Sequence, residues 1–403
     1  MARIVYLHQY FRTPAEGGGT RSYEFARRLA AAGFDVHMIT SNQSNNAPRN
    51  WTVNELDGFT VHQLGVPYSN RMGLVRRLRA FTHFAVSASI KAKTLGADIV
   101  FATSPPLTVA MPAIAASLGR KVPLVFEVRD LWPEAPIALG VLKNTVPITV
   151  AKALERYIYG RSDHIVCLSP GIRDGVVATG YGLDKTTVIP NACDFDEFSV
   201  TPSDVARWED AHPFLRDRSF VLYAGTLGKA NNVCWLVELA HAVNAIDSSI
   251  AFVTMGDGAE RESVARLAQR YRLLNSTFYL LPPAPKREVA CAMGSACVSS
   301  VVLRPVKALE SNSSNKFFDA LAAGKPVVIN YGGWQLDLLR ENDAGLGLPS
   351  DDLPAAARRL VDAIHDTSHL LVMGQNARML GETCFARDNL AHDFIQVISD
   401  ALT

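Results

Sequence analysis

The chain has 403 residues, 48% hydrophobic and 20% charged, which is more than one hydrophobic core ordinarily serves and too apolar for a disordered chain. Two domains are expected. A formal net charge of +1 leaves no global field for a nucleic-acid partner, and six cysteines without C-x-x-C spacing argue against a zinc site or a disulfide framework and fit a reducing cytoplasm.

The N-terminal run through Val5, Tyr6 and Leu7 reads as a strand and lacks the basic-then-apolar order of a signal peptide. No apolar run reaches the ~18 residues that a bilayer span requires. Further strands are predicted at Val36–Ile39, Ile99–Phe101, Leu124–Val128 and Ile165–Leu168, separated by helical patterns, as in a parallel doubly wound sheet. From Ile189 to about Arg216 the chain is rich in Pro, Asp and Ser without an evident period. A linker is expected there, with the hinge near residue 200 and the domains at 1–195 and 196–403. Strands then resume at Phe220–Tyr223, Ala251–Met255, Thr277–Leu280, Ala296–Ser300 and Pro326–Ile329. A last helix, about 389–402, has helical spacing at Leu390, Phe394, Ile395 and Ile398 and is able to pack back on the N-terminal domain.

Three glycine turns follow strands. Gly17, Gly18 and Gly19 precede a helix beginning near Ser22, where bare backbone N–H groups and a helix N-terminus favour phosphate. Gly225-Thr226-Leu227-Gly228-Lys229 and Gly256-Asp257-Gly258 lie at strand ends of the second half, where open α/β sheets take their ligands. A glycine-rich surface loop and a solvated Lys229 are the plain alternatives.

The segment Glu310 to Pro326 opens with polar residues and turns apolar at Phe317-Phe318 and Leu321. Asn315 and Lys316 thus fall at a helix start; Lys316 offers a cation to phosphate, and Asp319, at i+3, a carboxylate to ribose hydroxyls. As a plain alternative, Asn315 caps the helix and Asp319 favours its dipole. Asp130 ends a strand before Leu131-Trp132-Pro133, positioned to orient or deprotonate an acceptor hydroxyl or simply to cap a turn.

Between Arg71 and Phe84 an amphipathic pattern sets Leu74, Val75, Leu78 and Phe81 on one face and Arg76 and Arg79 opposite. It suits either an anionic membrane surface or a core-packed helix with a solvated basic face.

Taken together, the Gly17–Gly19 loop, Val128-Arg129-Asp130-Leu131-Trp132-Pro133-Glu134, Leu168-Ser169-Pro170, Val188-Ile189-Pro190-Asn191, the Tyr223–Lys229 loop, Gly256-Asp257-Gly258 and Asn315–Pro326 resemble glycosyltransferase family 4 over nearly the whole length. The resemblance is to retaining enzymes, in particular bacterial O-antigen, capsule and exopolysaccharide transferases. It implies an α/β GT-B architecture, two Rossmann-like doubly wound domains facing across a cleft. It also implies a nucleotide-sugar donor, with UDP expected, and a glycan or undecaprenyl-diphosphate-linked acceptor at the cytoplasmic face of the membrane.

On that resemblance the donor residues are Gly17, Gly18, Gly19, Gly225, Thr226, Lys229, Gly256, Asn315, Lys316 and Asp319, and the catalytic candidates are Asp130, Lys316 and Glu310. No metal or cofactor is expected. The chain departs from the family at four places. Asp319 stands for the second glutamate of a spaced pair, Ser311 rather than Glu310 falls at the first, Thr226 and Asn231 stand where many members carry Arg and Lys, and Arg129 where many carry His. A nucleotide-sugar epimerase of the same architecture and a non-catalytic nucleotide-sugar-binding module are the competing readings. A dinucleotide oxidoreductase would need a G-x-G-x-x-G turn that the first loop lacks.

Overall fold

The computed structural model describes residues 1–16, 19–68, 72–118 and 122–403, and these divide into two compact units. Unit 1 comprises Met1–Pro190 with Asp388–Thr403, and unit 2 comprises Asn191–Arg387.

In unit 1 the elements run β1 (Arg3–Leu7), α1 (Arg21–Ala31), β2 (Asp35–Asn42), β3 (Thr52–Leu56), β4 (Phe59–Gly65), α2 (Leu74–Leu95) and β5 (Ile99–Thr103). They continue with α3 (Ala110–Ser117), β6 (Leu124–Val128), α4 (Glu134–Ala138), α5 (Thr145–Arg161), β7 (His164–Cys167), α6 (Pro170–Ala178) and β8 (Thr186–Val188). The eight strands order as β3-β4-β2-β1-β5-β6-β7-β8, parallel except for the antiparallel β3–β4 pair. Both faces are covered, so β5 and β6 are buried along their whole length. On one face Val5 and Leu7 share a core with Phe84 and Ala88 of α2 and Ile158 of α5. Turned the other way, Tyr6 packs edge-on against Phe101, and Phe25 of α1 stacks on Phe394 at 4.5 Å. Thus the last helix, α16 below, joins unit 1.

Unit 2 runs α7 (Phe195–Phe198), α8 (Pro202–Ala211), β9 (Phe220–Ala224), α9 (Val233–Asn244), β10 (Ala251–Met255), α10 (Arg261–Arg270) and β11 (Phe278–Leu281). After these come α11 (Lys286–Ser295), β12 (Val298–Val301), α12 (Asn315–Ala322), β13 (Val327–Ile329), α13 (Trp334–Glu341) and β14 (Gly345–Gly347). Helices α14 (Leu353–His365) and α15 (Thr367–Cys384) follow, and α16 (Arg387–Leu402) carries the chain out of the unit. Its parallel sheet orders as β11-β10-β9-β12-β13-β14, so the direction of winding reverses between β9 and β12. Loops leaving the carboxyl ends of those two strands therefore meet, and such a switch point is where open α/β sheets bind ligands.

Two sequence expectations change. The stretch expected as a linker is largely helical: Thr201 and Asp204 close a capping box, Pro202 stands in the first turn of α8, and Trp208 is buried. The β3–β4 hairpin was not anticipated.

Candidate functional site

At the switch point of unit 2, the loop after β9 is zipped to the loop after β10. Gly225 N–H donates to the Met255 carbonyl and Leu227 N–H to that of Asp257, both at 2.9 Å. A Cβ on Gly256 would overlap the Gly225 carbonyl oxygen, and one on Gly258 would overlap that of Leu227. These glycines are needed for the approach of one backbone to another. Thr226 and Lys229 are exposed on the same loop.

After β12 the chain returns to this place as the N-terminus of α12. Ser314 precedes the first turn without a side-chain cap, and Asn315, the first helical residue, is exposed; the structure therefore does not give Asn315 the cap role. Lys316 lies half-buried along the bare backbone of Gly225, whose added Cβ would stand 2.7 Å from Lys316 Cδ. Its Nζ donates to Asn231 Oδ1 at 3.3 Å and sits 5.4 Å from the centre of the Tyr223 ring. Tyr223 Oη and Asn231 Nδ2 both donate to the Thr226 carbonyl at 2.8 Å, fixing the ring and amide that hold the lysine. Burial lowers the Lys316 amine to about 8, with Asp319 opposing. A partly desolvated cation held by a neutral amide and a ring face is suited to an incoming anion.

One turn further on, burial pushes the Asp319 carboxyl up to about 6 against the pull of Lys286, with Asp194 adding to the rise. Asp194 itself forms a bidentate pair with Arg387 and accepts from Lys286 Nζ at 2.8 Å. Burial alone would raise the Asp194 carboxyl; Arg387 and Lys286 more than offset it and hold it below the ordinary range. Nearby, Cys193 N–H donates to the Phe385 carbonyl at 2.8 Å, and Asn191 Nδ2 to that of Ser313 at 2.6 Å. The segments by which the chain enters and leaves unit 2 are thus fastened to each other and to the start of α12. The contacts of Asn231 and Tyr223 with Lys316, and of Asp194 with Lys286 and Arg387, are not legible in the sequence, because they span 85 to 193 residues.

Glu310 stands apart from Lys316 in its contacts. Its carboxylate accepts from Lys307 Nζ at 2.7 Å and lies against the turn at Gly332 and Gly333, where a Cβ on Gly332 would come within 3.4 Å of it.

In unit 1, Gly17 and Gly18 lie outside the described residues, and Gly19 is half-buried just before α1. At the start of that helix Arg21 is buried and binds Glu127 of β6 through Nε at 2.9 Å and Nη2 at 2.8 Å. The same guanidinium donates to the carbonyls of Ile189 and Pro190, while Thr103 Oγ1 donates to the other Glu127 oxygen at 2.6 Å. Asp130 follows β6 as expected and is half-buried; burial raises its carboxyl, with Arg129 opposing. Arg129 N–H donates to Ser104 Oγ at 3.1 Å, and His8, at the end of β1, is buried and kept neutral by burial and by Arg129. The carboxyl ends of β1, β5 and β6 thus gather polar groups around Arg129, the residue next to Asp130.

Residues 16–192 match a glycosyl transferase 4-like domain, and residues 218–366 match glycosyl transferases group 1. A curated relative, a probable glycosyltransferase WbjE of Pseudomonas aeruginosa, is 24% identical over 311 residues, covering 74% of each chain. Among solved structures, a sucrose-phosphate synthase of Thermosynechococcus elongatus superposes with a TM-score of 0.80 at 17% identity over 99% of both chains. Anabaena HepE, in complex with UDP and glucose, superposes with a TM-score of 0.70 at 15% identity, over 99% of this chain and all of the other.

Proposed function

The chain belongs to the family 4 glycosyltransferases of GT-B fold, and from that membership we propose that it moves a sugar from a UDP-sugar, with retention of configuration, to a glycan or lipid-linked glycan acceptor in bacterial surface-polysaccharide synthesis. The observation that carries this reading is Lys316, a half-buried cation at a helix start beside the Gly225 loop. Departure of a nucleoside diphosphate concentrates charge on the β-phosphate, and donors already in position stabilise that charge without reorganisation. Lys316 and the N–H groups of the first turn of α12 are such donors, with Lys229 and Thr226 on the facing loop. In the retaining reaction the acceptor oxygen attacks the face the diphosphate leaves, and a phosphate oxygen takes up the acceptor proton.

Asp319 accepts from the ribose hydroxyls. Asp130, in unit 1, orients the acceptor hydroxyl. Glu310 supports the reading less directly, since its carboxylate is engaged by Lys307. UDP as the nucleotide is supported by HepE, which is described with UDP. No metal enters this scheme, the leaving charge being taken by side-chain and backbone donors.

The experiment is to supply UDP-, GDP- and ADP-sugars with and without lipid-linked glycan acceptors and to follow nucleotide release. UDP release that depends on acceptor is expected. Interconversion of donor sugars without release would establish an epimerase instead, and binding without turnover a non-catalytic module.

A further inference from the structure

At the carboxyl end of β6 stands a cation that the transfer chemistry above leaves idle. Arg129, where many relatives carry a histidine, is half-buried. Its backbone is fixed: Arg129 N–H donates to Ser104 Oγ at 3.1 Å, and Ser104 N–H to the Glu127 carbonyl at 3.0 Å. Since β6 lies between β5 and β7, the residue falls well inside the eight-stranded edge. Yet its guanidinium, a planar fork of N–H donors, forms no ion pair and no hydrogen bond among the described residues. Other cations of this edge are taken. Arg21 binds Glu127 through two nitrogens and donates to the Ile189 carbonyl, and Arg173, in the first turn of α6, keeps Asp174 at 3.6 Å. A guanidinium drawn partly out of water without a partner costs free energy, and an arriving anion offsets that cost.

The surroundings suit a hydroxylated ligand. His8 is 4% exposed, has no partner for Nδ1, and is kept neutral by burial and by the charge of Arg129. Gln9, wholly buried at the end of β1, leaves both atoms of its side-chain amide unpartnered. Asp130 follows Arg129 directly, its Cα about 3.8 Å along the chain. Two residues further on, Trp132 is exposed between buried Leu131 and Pro133, and its indole bonds no group among the described residues. An exposed ring of this kind offers an apolar plane to the C–H face of a pyranose.

The charge available selects the anion. One uncommitted guanidinium balances one negative charge, and its fork matches the paired oxygens of a carboxylate. A diphosphate would leave most of its charge unmatched here. In a sugar acid the carboxylate is borne by the ring carbon next to one that carries a hydroxyl, a spacing that adjacent Arg129 and Asp130 serve together. We propose that Arg129 binds the carboxylate of an acidic acceptor sugar of the uronic-acid type, whose attacked hydroxyl, held by Asp130, stands on the neighbouring ring carbon. This names the acceptor class of the transfer reading and rests on that reading.

The test needs no donor. Phenylglyoxal labels accessible guanidinium groups, and labelling of Arg129 in the full chain is followed by peptide mass spectrometry with methyl β-D-glucuronide, methyl β-D-glucoside or inorganic phosphate at equal concentration. At saturation the glucuronide should slow labelling of Arg129 at least about fivefold, and phosphate should protect less. The glucoside should leave the rate unchanged. Arg207, whose side chain is 76% exposed, is the internal reference that none of the three affects. In saturation-transfer NMR the glucuronide signal seen with the parent should fall at least about fivefold with Arg129→Gln. Circular dichroism melts confirm that this variant folds, and the labelling does not depend on it. Absence of protection by the glucuronide, or equal protection by the glucoside, would overturn the proposal. Protection by phosphate equal to that by the glucuronide would assign the guanidinium to a phosphate and overturn it as well. The transfer reading fails separately. Glucuronide held by Arg129 without acceptor-dependent UDP release would keep the carboxylate site and end transfer. UDP release as ready with the glucoside as with the glucuronide would keep transfer and overturn this inference.

Discussion

At the scale of single residues, Lys316 is the group on which the proposed donor binding turns, and its chemistry follows from burial. With its amine at about 8 in the free protein, affinity for a nucleoside diphosphate should hold below that pH and fall above it as the cation is lost, by up to about tenfold per pH unit. The dependence should vanish in Lys316→Ala, as read by titration of UDP at pH 7 to 10.

Asp319 has the opposite balance. Its carboxyl is raised to about 6, so the folded state prefers the protonated form, and that preference stabilises fully below about 3.8 and is lost as pH rises through 6. Asp319→Asn should therefore melt higher than the parent at pH 7.5, with the gain disappearing below pH 4, while UDP binds more weakly. A lower melting temperature at pH 7.5 would show that the carboxylate is structural.

Lys316 was legible in the sequence because a cation at the polar start of an amphipathic helix has few other uses. Its supports were not. Asn231, which stands where many relatives carry a lysine, instead accepts from Lys316, and no local pattern announces that exchange.

Among the elements, the parallel strands were readable because both faces of each sheet are covered, leaving short, nearly continuous apolar runs. The β3–β4 hairpin has a local cause in Asp57-Gly58, which takes positive φ at both positions, 44° and 87°, as a two-residue hairpin turn requires. The sequence of helix α8 reads as linker because Pro202 and the Asp and Ser residues around it suggest a break, although in a Thr201–Asp204 capping box they begin a helix. Glu127 is an acid inside an otherwise apolar strand, and its partner lies 106 residues away. Since Arg21 and Glu127 are both buried, Glu127→Ala strands a guanidinium and should cost about 3–5 kcal/mol in denaturant-unfolding experiments. A loss below ~1 kcal/mol would mean that the Ile189 and Pro190 carbonyls suffice for the arginine.

For the molecule as a whole, the sequence called for two α/β domains, and each unit has its own sheet and core. The destination of the last helix could not be read from spacing, since Leu390, Phe394 and Ile398 would suit any apolar groove. Phe394 lies against both Phe25 and Phe101 in unit 1, where it is wholly buried. Phe394→Ala should cost about 3–5 kcal/mol of unit 1 stability while leaving UDP binding by unit 2 intact.

We propose that unit 2 holds the diphosphate of a nucleotide donor through Lys316. Calorimetric titration of the parent and Lys316→Ala with UDP, and with uridine as a control lacking phosphate, measures it most directly. The substitution should weaken UDP by about 2–3 kcal/mol, the worth of a charge-assisted contact, and leave uridine unchanged. Equal UDP affinity in the two proteins would contradict it.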